Sequence, residues 1–300
     1  MGEPHGALTP LFSDSKGREV VAPDLGGAPV ADTHAHLDML EDPALALARA
    51  ALAGVSFVAT VADPTEDAWR TFDELPSWLA GASDLLREAG RDIEPPHVRV
   101  ILGAHPHNAK DFIPEAESEL LRLAEDRRTA AIGEIGLDYH YDHSPRDVQR
   151  AAFRRQLELA RDLGLPAVVH LREAHDDGAE IMAEVGLPAA GCVLHCFTGD
   201  AVLAARFVDL GCSAVSFAGP VTFKKADAIR GAAVSLPEDM LLTETDCPFM
   251  APEPFRGRTN EPAFTVFTTA RIAEAREEVP REFAVRAYAN ALAVLDTERA

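Results

Sequence analysis

Lysine is nearly missing from this chain. Four stand among 300 residues, at Lys16, Lys110, Lys224 and Lys225, and the other cations are arginines scattered among carboxylates. No cluster of basic residues occurs, which excludes a long electrostatic footprint on a polyanion or an anionic lipid surface. Cysteine is equally sparse: Cys192, Cys196, Cys212 and Cys247 form no C-x-x-C pair. A chain of this length does not need covalent staples, so the thiols are expected to be reduced. No run approaches the roughly 20 apolar residues that cross a bilayer. The opening stretch MGEPHGALTPLFSDSKGREV also lacks the basic and apolar regions of a secretory signal. The expected location is the cytoplasm, with no membrane partner.

What is present suits a large globular core, since 47% of residues are hydrophobic and 26% charged. The 28 basic and 49 acidic side chains give a net charge of −21. Length alone admits two domains or one large α/β barrel. Residues 1 to 28 are rich in Gly, Pro and Asp without a sustained apolar period, and read as a tail or loosely packed arm. Residues 29 to 300 read as one unit. There, eight short Val/Ile/Leu-rich runs alternate with helical stretches: Val30 to Thr33, Val55 to Val61, Val98 to Gly103, Ala130 to Gly133, Ala167 to Val169, Cys192 to Leu194, Ser213 to Phe217 and Met240 to Thr243.

Helix signals fall between the runs. Asp42 is a good N-cap before Pro43, and Gly54 closes that helix; Ser144 and Pro145 repeat the start for a helix that runs to Gly164. Two more helices are expected at about 262 to 278 and 281 to 294. Strands that are apolar throughout are buried on both faces, so the pattern predicts a parallel (β/α)8 TIM barrel, with an open doubly wound sheet as the alternative.

Function enters at the ends of the runs. Five end in a potential metal ligand: His34 and His36 in DTHAH, Glu134 in GEIGLD, His170 in VVHLR, His195 in LHCFTG, and Glu244 with Asp246 in TETDCP. A sixth, GAHPH, supplies His105 and His107. A strand has a side-chain period of two, so His34/His36 and Glu244/Asp246 can each face one side of a barrel mouth. One histidine at a strand end is usually structural. Seven ligand-type residues at one end of five strands are not, because buried imidazoles and carboxylates need compensation and a cation is the usual one.

Imidazole and carboxylate without thiolate suit Zn²⁺, Mn²⁺, Fe²⁺ or Mg²⁺, and six ligands suffice for two ions if Glu134 bridges. No lysine ends the fourth or fifth run, which excludes a carbamylated-lysine bridge. The odd offset of Cys196 and Cys247 from His195 and Asp246 should turn both thiols away from the mouth.

The motifs DTHAHLD, GAHPHNA, GEIGLDY, VVHLREA, LHCFTG, VTFKKA and TETDCPFMAPEPFRGRTNEP, in this order, closely resemble the TatD family of metal-dependent hydrolases, within the amidohydrolase-like superfamily. The resemblance covers about residues 30 to 295. It implies divalent metal at the C-terminal face of a TIM-type barrel and, for many members, deoxyribonuclease activity. The ligands it implies are His34, His36, Glu134, His170, His195 and Asp246. The N-terminal extension, the long Asp67 to Pro96 segment, Cys247 in place of a common alanine and the NALAVLD ending depart from the pattern without touching a ligand.

The expected reaction is exonucleolytic cleavage of DNA phosphodiesters, on single strands or duplex ends, through a metal-activated water. The alternative is an acyl or amide hydrolase, such as an aminoacyl-tRNA deacylase or a lactonase. Asp246 is the expected general base and Glu134 a bridging ligand, while Arg172 and His105 would neutralise charge on the phosphate. His107, Tyr139 and Arg258 are expected on the substrate, and Asp32 and Glu244 behind the ligands. With so acidic a chain, few phosphate contacts and a monomer are expected.

Overall fold

The computed structural model describes residues 8–297. The apolar runs form eight parallel strands that neighbour one another in chain order. They are β1 (Val30–Ala35), β2 (Val55–Ala62), β3 (His97–Leu102), β4 (Thr129–Asp138), β5 (Ala167–Arg172), β6 (Cys192–Leu194), β7 (Ala214–Phe217) and β8 (Leu241–Thr243). The first and last strands meet at a seam. The Thr33 hydroxyl donates to the Thr243 carbonyl (3.2 Å), the Thr243 hydroxyl donates to the Ala31 carbonyl (3.1 Å), and Ala35 bridges to Cys247. Just beyond, the His36 N–H donates to the Cys247 carbonyl (2.8 Å) and the Asp246 N–H to the His34 carbonyl (2.9 Å). The sheet is a (β/α)8 barrel and not the open alternative.

Parallel neighbours need crossover connections, and helices supply them. These are α1 (Pro43–Ala53), α2 (Ala68–Glu88), α3 (Pro114–Ala124), α4 (Arg146–Leu163), α5 (His175–Val185), α6 (Ala201–Leu210) and α7 (Asp227–Ser235), with α8 (Thr265–Ala275) and α9 (Pro280–Leu295) after the last strand. The Asp42 carboxylate caps α1 by accepting the Leu45 N–H (2.9 Å), and Gly54 closes it at φ 88°, a left-handed conformation that glycine adopts without strain. The start of α4 differs from expectation by one residue, with Pro145 at the N-cap. Ser144 is engaged elsewhere: its hydroxyl donates to the His107 carbonyl (2.7 Å) and accepts the Lys110 N–H (3.1 Å). The long segment after Asp67 is the 21-residue α2, which buries Phe72, Leu75 and Trp78.

Two apolar layers result. Inside the barrel Phe57, Val61, Ile101, Val168 and Leu242 fill the space, and Ala291, Val294 and Leu295 of α9 join them from below. Outside, the other faces of the strands pack on the helices. Each fully buried Leu, Val or Phe contributes roughly 1.5–3 kcal/mol. With α9 across the bottom, the polar residues at the C-terminal strand ends open upward.

The N-terminal segment is held more firmly than its composition indicates, though residues 1–7 of the expected arm lie outside the described residues. Phe12 is buried among Phe255, Phe264 and Phe267, at centroid distances of 6.0, 6.0 and 5.0 Å. Asp14 accepts the N–H groups of Lys16 and Arg18 (2.8 and 3.0 Å), and hydrogen bonding to Arg18 holds its carboxyl down at about 2.

Candidate metal centre

β4 carries the central side chain. Its visible apolar run ends at Gly133, yet the strand continues through Glu134 to Asp138, wholly buried. Gly136 permits this, with φ 142° and a backbone so near β5 that an added Cβ would stand 2.0 Å from the His170 carbonyl oxygen. The resulting register sets Gly136 beside His170.

Glu134 divides its two oxygens between two sides of the mouth. Its Oε2 lies 3.0 Å from His34 Nε2 and 3.8 Å from His36 Nε2. Its Oε1 lies 2.6 Å from His170 Nδ1, 2.9 Å from His195 Nε2 and 3.3 Å from His105 Nε2. Asp246 Oδ1 stands 3.6 Å from His36 Nε2 and 4.0 Å from His34 Nε2. The six residues that the resemblance implies as ligands therefore gather around Glu134. Donor atoms of His34, His36 and Glu134 gather within 4.8 Å of one another, as do those of His105, Glu134 and His170, and those of His34, His195 and Glu244.

The electrostatics follow from this crowding. Burial alone would raise the Glu134 carboxyl, but His195, His105 and His34 outweigh it and hold the group well below the usual carboxylate range. Asp246 is likewise lowered, burial being overcome by His36, His195 and His34. The stacked rings of His34 and His195, 3.8 Å apart, cannot share two positive charges. Burial and His195 push His34 down, whereas Glu134 and Glu244 lift His195 well above the ordinary imidazole range against its burial. Burial also opposes the charged form of His36 and His170, but Asp246 and Glu134 raise the first and Asp138 and Glu134 the second. His105 is lowered, chiefly by burial.

The donor set fits a divalent cation. His34 Nδ1, His170 Nε2 and Glu244 Oε2 are buried without a hydrogen-bond partner, and five imidazoles gather round the Glu134 carboxylate, a nitrogen and oxygen set that suits such an ion.

Residues behind this layer fix it in place. Glu244 Oε1 accepts from His195 Nδ1 (3.1 Å) and from the Cys196 N–H (2.5 Å). Asp32 holds the backbone: its carboxylate accepts the Thr245 N–H (2.7 Å), the Thr245 hydroxyl (2.5 Å) and the His34 N–H (3.4 Å). It shapes the backbone on both sides of the seam, and burial raises its carboxyl well above the ordinary range. Asp246 lies outside extended geometry, with φ 57°. The turn after Thr243, pinned by Asp32, aims it inward.

A cavity of about 560 Å³ opens above, lined by His36, Glu134, His170, His195 and Asp246 and also by His105, His107 and Arg172. Two expected contacts are relocated. The Tyr139 hydroxyl donates to Asp177 (2.6 Å), away from the mouth, and burial together with that bond raises the phenol to about 12. Tyr141 lines the cavity in its place. Arg258 donates to the Ser13 carbonyl and so ties the N-terminal arm to the loop after β8. Cys196 also departs from expectation: at φ 44° the strand geometry has ended and the residue lines the cavity, whereas Cys247 is buried.

Sequence reading passed over Asp138. Its Oδ2 stands 2.9 Å from His107 Nε2 and 3.4 Å from His170 Nε2, and these two histidines hold its carboxyl low against its burial. A signal was there, since Asp138 lies four residues beyond Glu134 and an even offset returns to the same face of a strand.

A parallel (β/α)8 barrel with a histidine and carboxylate centre at the C-terminal strand ends defines the class of metal-dependent hydrolases built on this fold. A family model described as TatD related DNase matches residues 31–296. The metal-dependent hydrolase YcfH of Escherichia coli (strain K12) is 39% identical over 238 residues, covering 77% of this chain and 82% of its own. A protein of Pantoea vagans (strain C9-1) named 3'-5' ssDNA/RNA exonuclease TatD is 38% identical over 199 residues, 63% of this chain and 74% of its own. The crystal structure of YJJV, a TatD homolog from Escherichia coli k12, superposes with a TM-score of 0.75 at 29% identity, covering 91% of this chain and all (100%) of that one. The chain belongs to the TatD-related DNase family of metal-dependent hydrolases.

Proposed function

We propose that the protein hydrolyses phosphodiester bonds of DNA, exonucleolytically at a strand end, with two divalent ions per chain. The observation that carries this reading is the division of Glu134, one oxygen toward His34 and His36 and the other toward His170 and His195. A carboxylate facing two sets of imidazoles suits a bridge between two ions. His34, His36 and Asp246 would hold one, and His170 and His195 the other, with His105 beside Glu134. Such ions, Mg²⁺, Mn²⁺ or Zn²⁺, supply positive charge for the developing phosphate anion and lower the pKa of water toward neutrality.

The chain's own groups do the rest. Asp246, held ionised by the surrounding histidines, is placed to accept a proton in the mouth of the barrel. Arg172 lines the same cavity and can neutralise non-bridging phosphate oxygens, as can His105 and His107 at its edge. The relative named as a 3'-5' ssDNA/RNA exonuclease supports the choice of substrate.

The test pairs metal analysis with turnover. Remetallated protein should hold more than one ion per chain and cleave single-stranded DNA in preference to a p-nitrophenyl acyl ester. In Asp246→Asn the fold and at least one ion should remain while kcat falls by roughly 10²- to 10⁴-fold, the span of general-base contributions. Well under one ion per chain would remove the metal centre, and faster ester than DNA hydrolysis would transfer the same centre to acyl chemistry.

A further inference from the structure

Two aromatic rings stand half-exposed at the mouth. Tyr141 and Phe249 are 51% and 50% exposed, and both line the cavity above Glu134. Tyr141 follows β4 and Phe249 follows β8, and strands four places apart in a sequential eight-stranded barrel lie across its axis from each other. The metal centre lies between them.

Each ring is tied to a candidate ligand by a short chain of bonds. The Tyr141 N–H donates to Asp138 Oδ1 (3.0 Å), and the other oxygen of that carboxylate faces His170. The Phe249 N–H donates to the Asp246 carbonyl (2.9 Å), and Asn260 Nδ2 donates to the Phe249 carbonyl (2.6 Å). Arg172 lies over the Tyr141 ring, 4.7 Å from its centre, and the His143 ring runs parallel to it at 5.5 Å, so a cation suited to phosphate and a flat ring already stack at this wall. Phe249 meets His36 edge-to-face at 6.0 Å and 76°, so this ring too stands against a candidate ligand, on the opposite wall.

Resting on the phosphodiesterase reading above, we propose that Tyr141 and Phe249 are stacking platforms for the two nucleobases flanking the scissile phosphate. The recognised unit is then a dinucleotide step of a single strand. Bases inside a duplex stack on their neighbours and cannot reach opposite walls, whereas an unpaired end can splay them apart. Stacking on an aromatic face is tolerant of sequence, because every base has one. The platforms therefore select for the presence of bases and not for their identity.

The experiment uses the remetallated full chain and single-stranded oligothymidylates in which one nucleotide, on either side of a given step, carries a base-free tetrahydrofuran sugar. In the wild type, removing the base on either side should lower kcat/KM on the order of 10- to 100-fold, the range of one base–aromatic stack. Tyr141→Ala should lower kcat/KM on the intact strand by a similar factor and become indifferent to base removal on one side. Phe249→Ala should become indifferent on the other side, and Tyr141→Trp should restore discrimination. Both rings are half-exposed, so neither truncation opens a core cavity.

Equal cleavage of intact and base-free strands by the wild type overturns the platforms and leaves the phosphodiesterase reading standing. So does full wild-type discrimination in both alanine variants, or loss of the same side in both. A wild type that cleaves no strand at any step overturns the phosphodiesterase reading, and the platforms with it.

Discussion

Around Glu134 the behaviour of single residues is set by their neighbours' protons. Two flanking carboxylates lift the His195 imidazole against its burial, while burial and the His195 ring stacked on it at 3.8 Å push His34 down. Glu244 is the far partner of His195 and orients that ring from behind. Glu244→Gln keeps the shape and removes the charge. Its metal affinity should fall roughly 10- to 100-fold, as for other partners behind a ligating histidine, read by competition with a chelator of known affinity. Unchanged affinity would leave Glu244 as a backbone prop for Cys196 alone. The strand reading singles out His34, His36, Glu134, His170 and His195, which lie on or at the ends of extended segments. It failed at Cys196 and was incomplete at Asp246, where positive φ values of 44° and 57° redirect the side chains. A left-handed residue outside glycine leaves no mark in a hydrophobicity pattern.

At the scale of elements, the sheet depends on how closely β4 approaches β5. An alanine at Gly136 would drive its Cβ into the His170 carbonyl oxygen, a backbone atom that no rotamer change can move. Gly136→Ala should cost about 3 kcal/mol or more, or prevent folding. Denaturant unfolding measures this, and an unchanged midpoint would show slack between the two strands. Apolar runs placed all eight strands, but β4 and β5 extend past their apolar portions because the same chain that fills the barrel below must present polar donors above. Loop geometry was the least legible. Tyr139 and Tyr141 differ by two positions, and which one faces the mouth is decided by Asp138 accepting the His140 and Tyr141 N–H groups (2.9 and 3.0 Å). Arg258 looked like a phosphate ligand until the arm supplied a carbonyl for it.

For the whole molecule, a net charge of −21 sets how a polyanion can be met. Ions held there would make, with Arg172, a local positive site within an acidic shell, so affinity should rest on two or three phosphates. Binding of single-stranded DNA to metal-loaded Asp246→Asn, followed by anisotropy, should therefore show a slope of log K against log salt of about −2. A slope steeper than about −4, equivalent to six or more phosphate contacts, would contradict this.

The seam between β1 and β8 also has a meaning in time. The bond from the Thr245 N–H to Asp32 joins residues 213 positions apart, and Asp246 completes a group that His34 and His36 begin. A ribosome adds roughly 5–20 residues each second, so tens of seconds separate the first donors from the last. Throughout that interval the nascent chain carries His34 and His36 without Asp246. The candidate centre is thereby incomplete until the last strand of the barrel has been made.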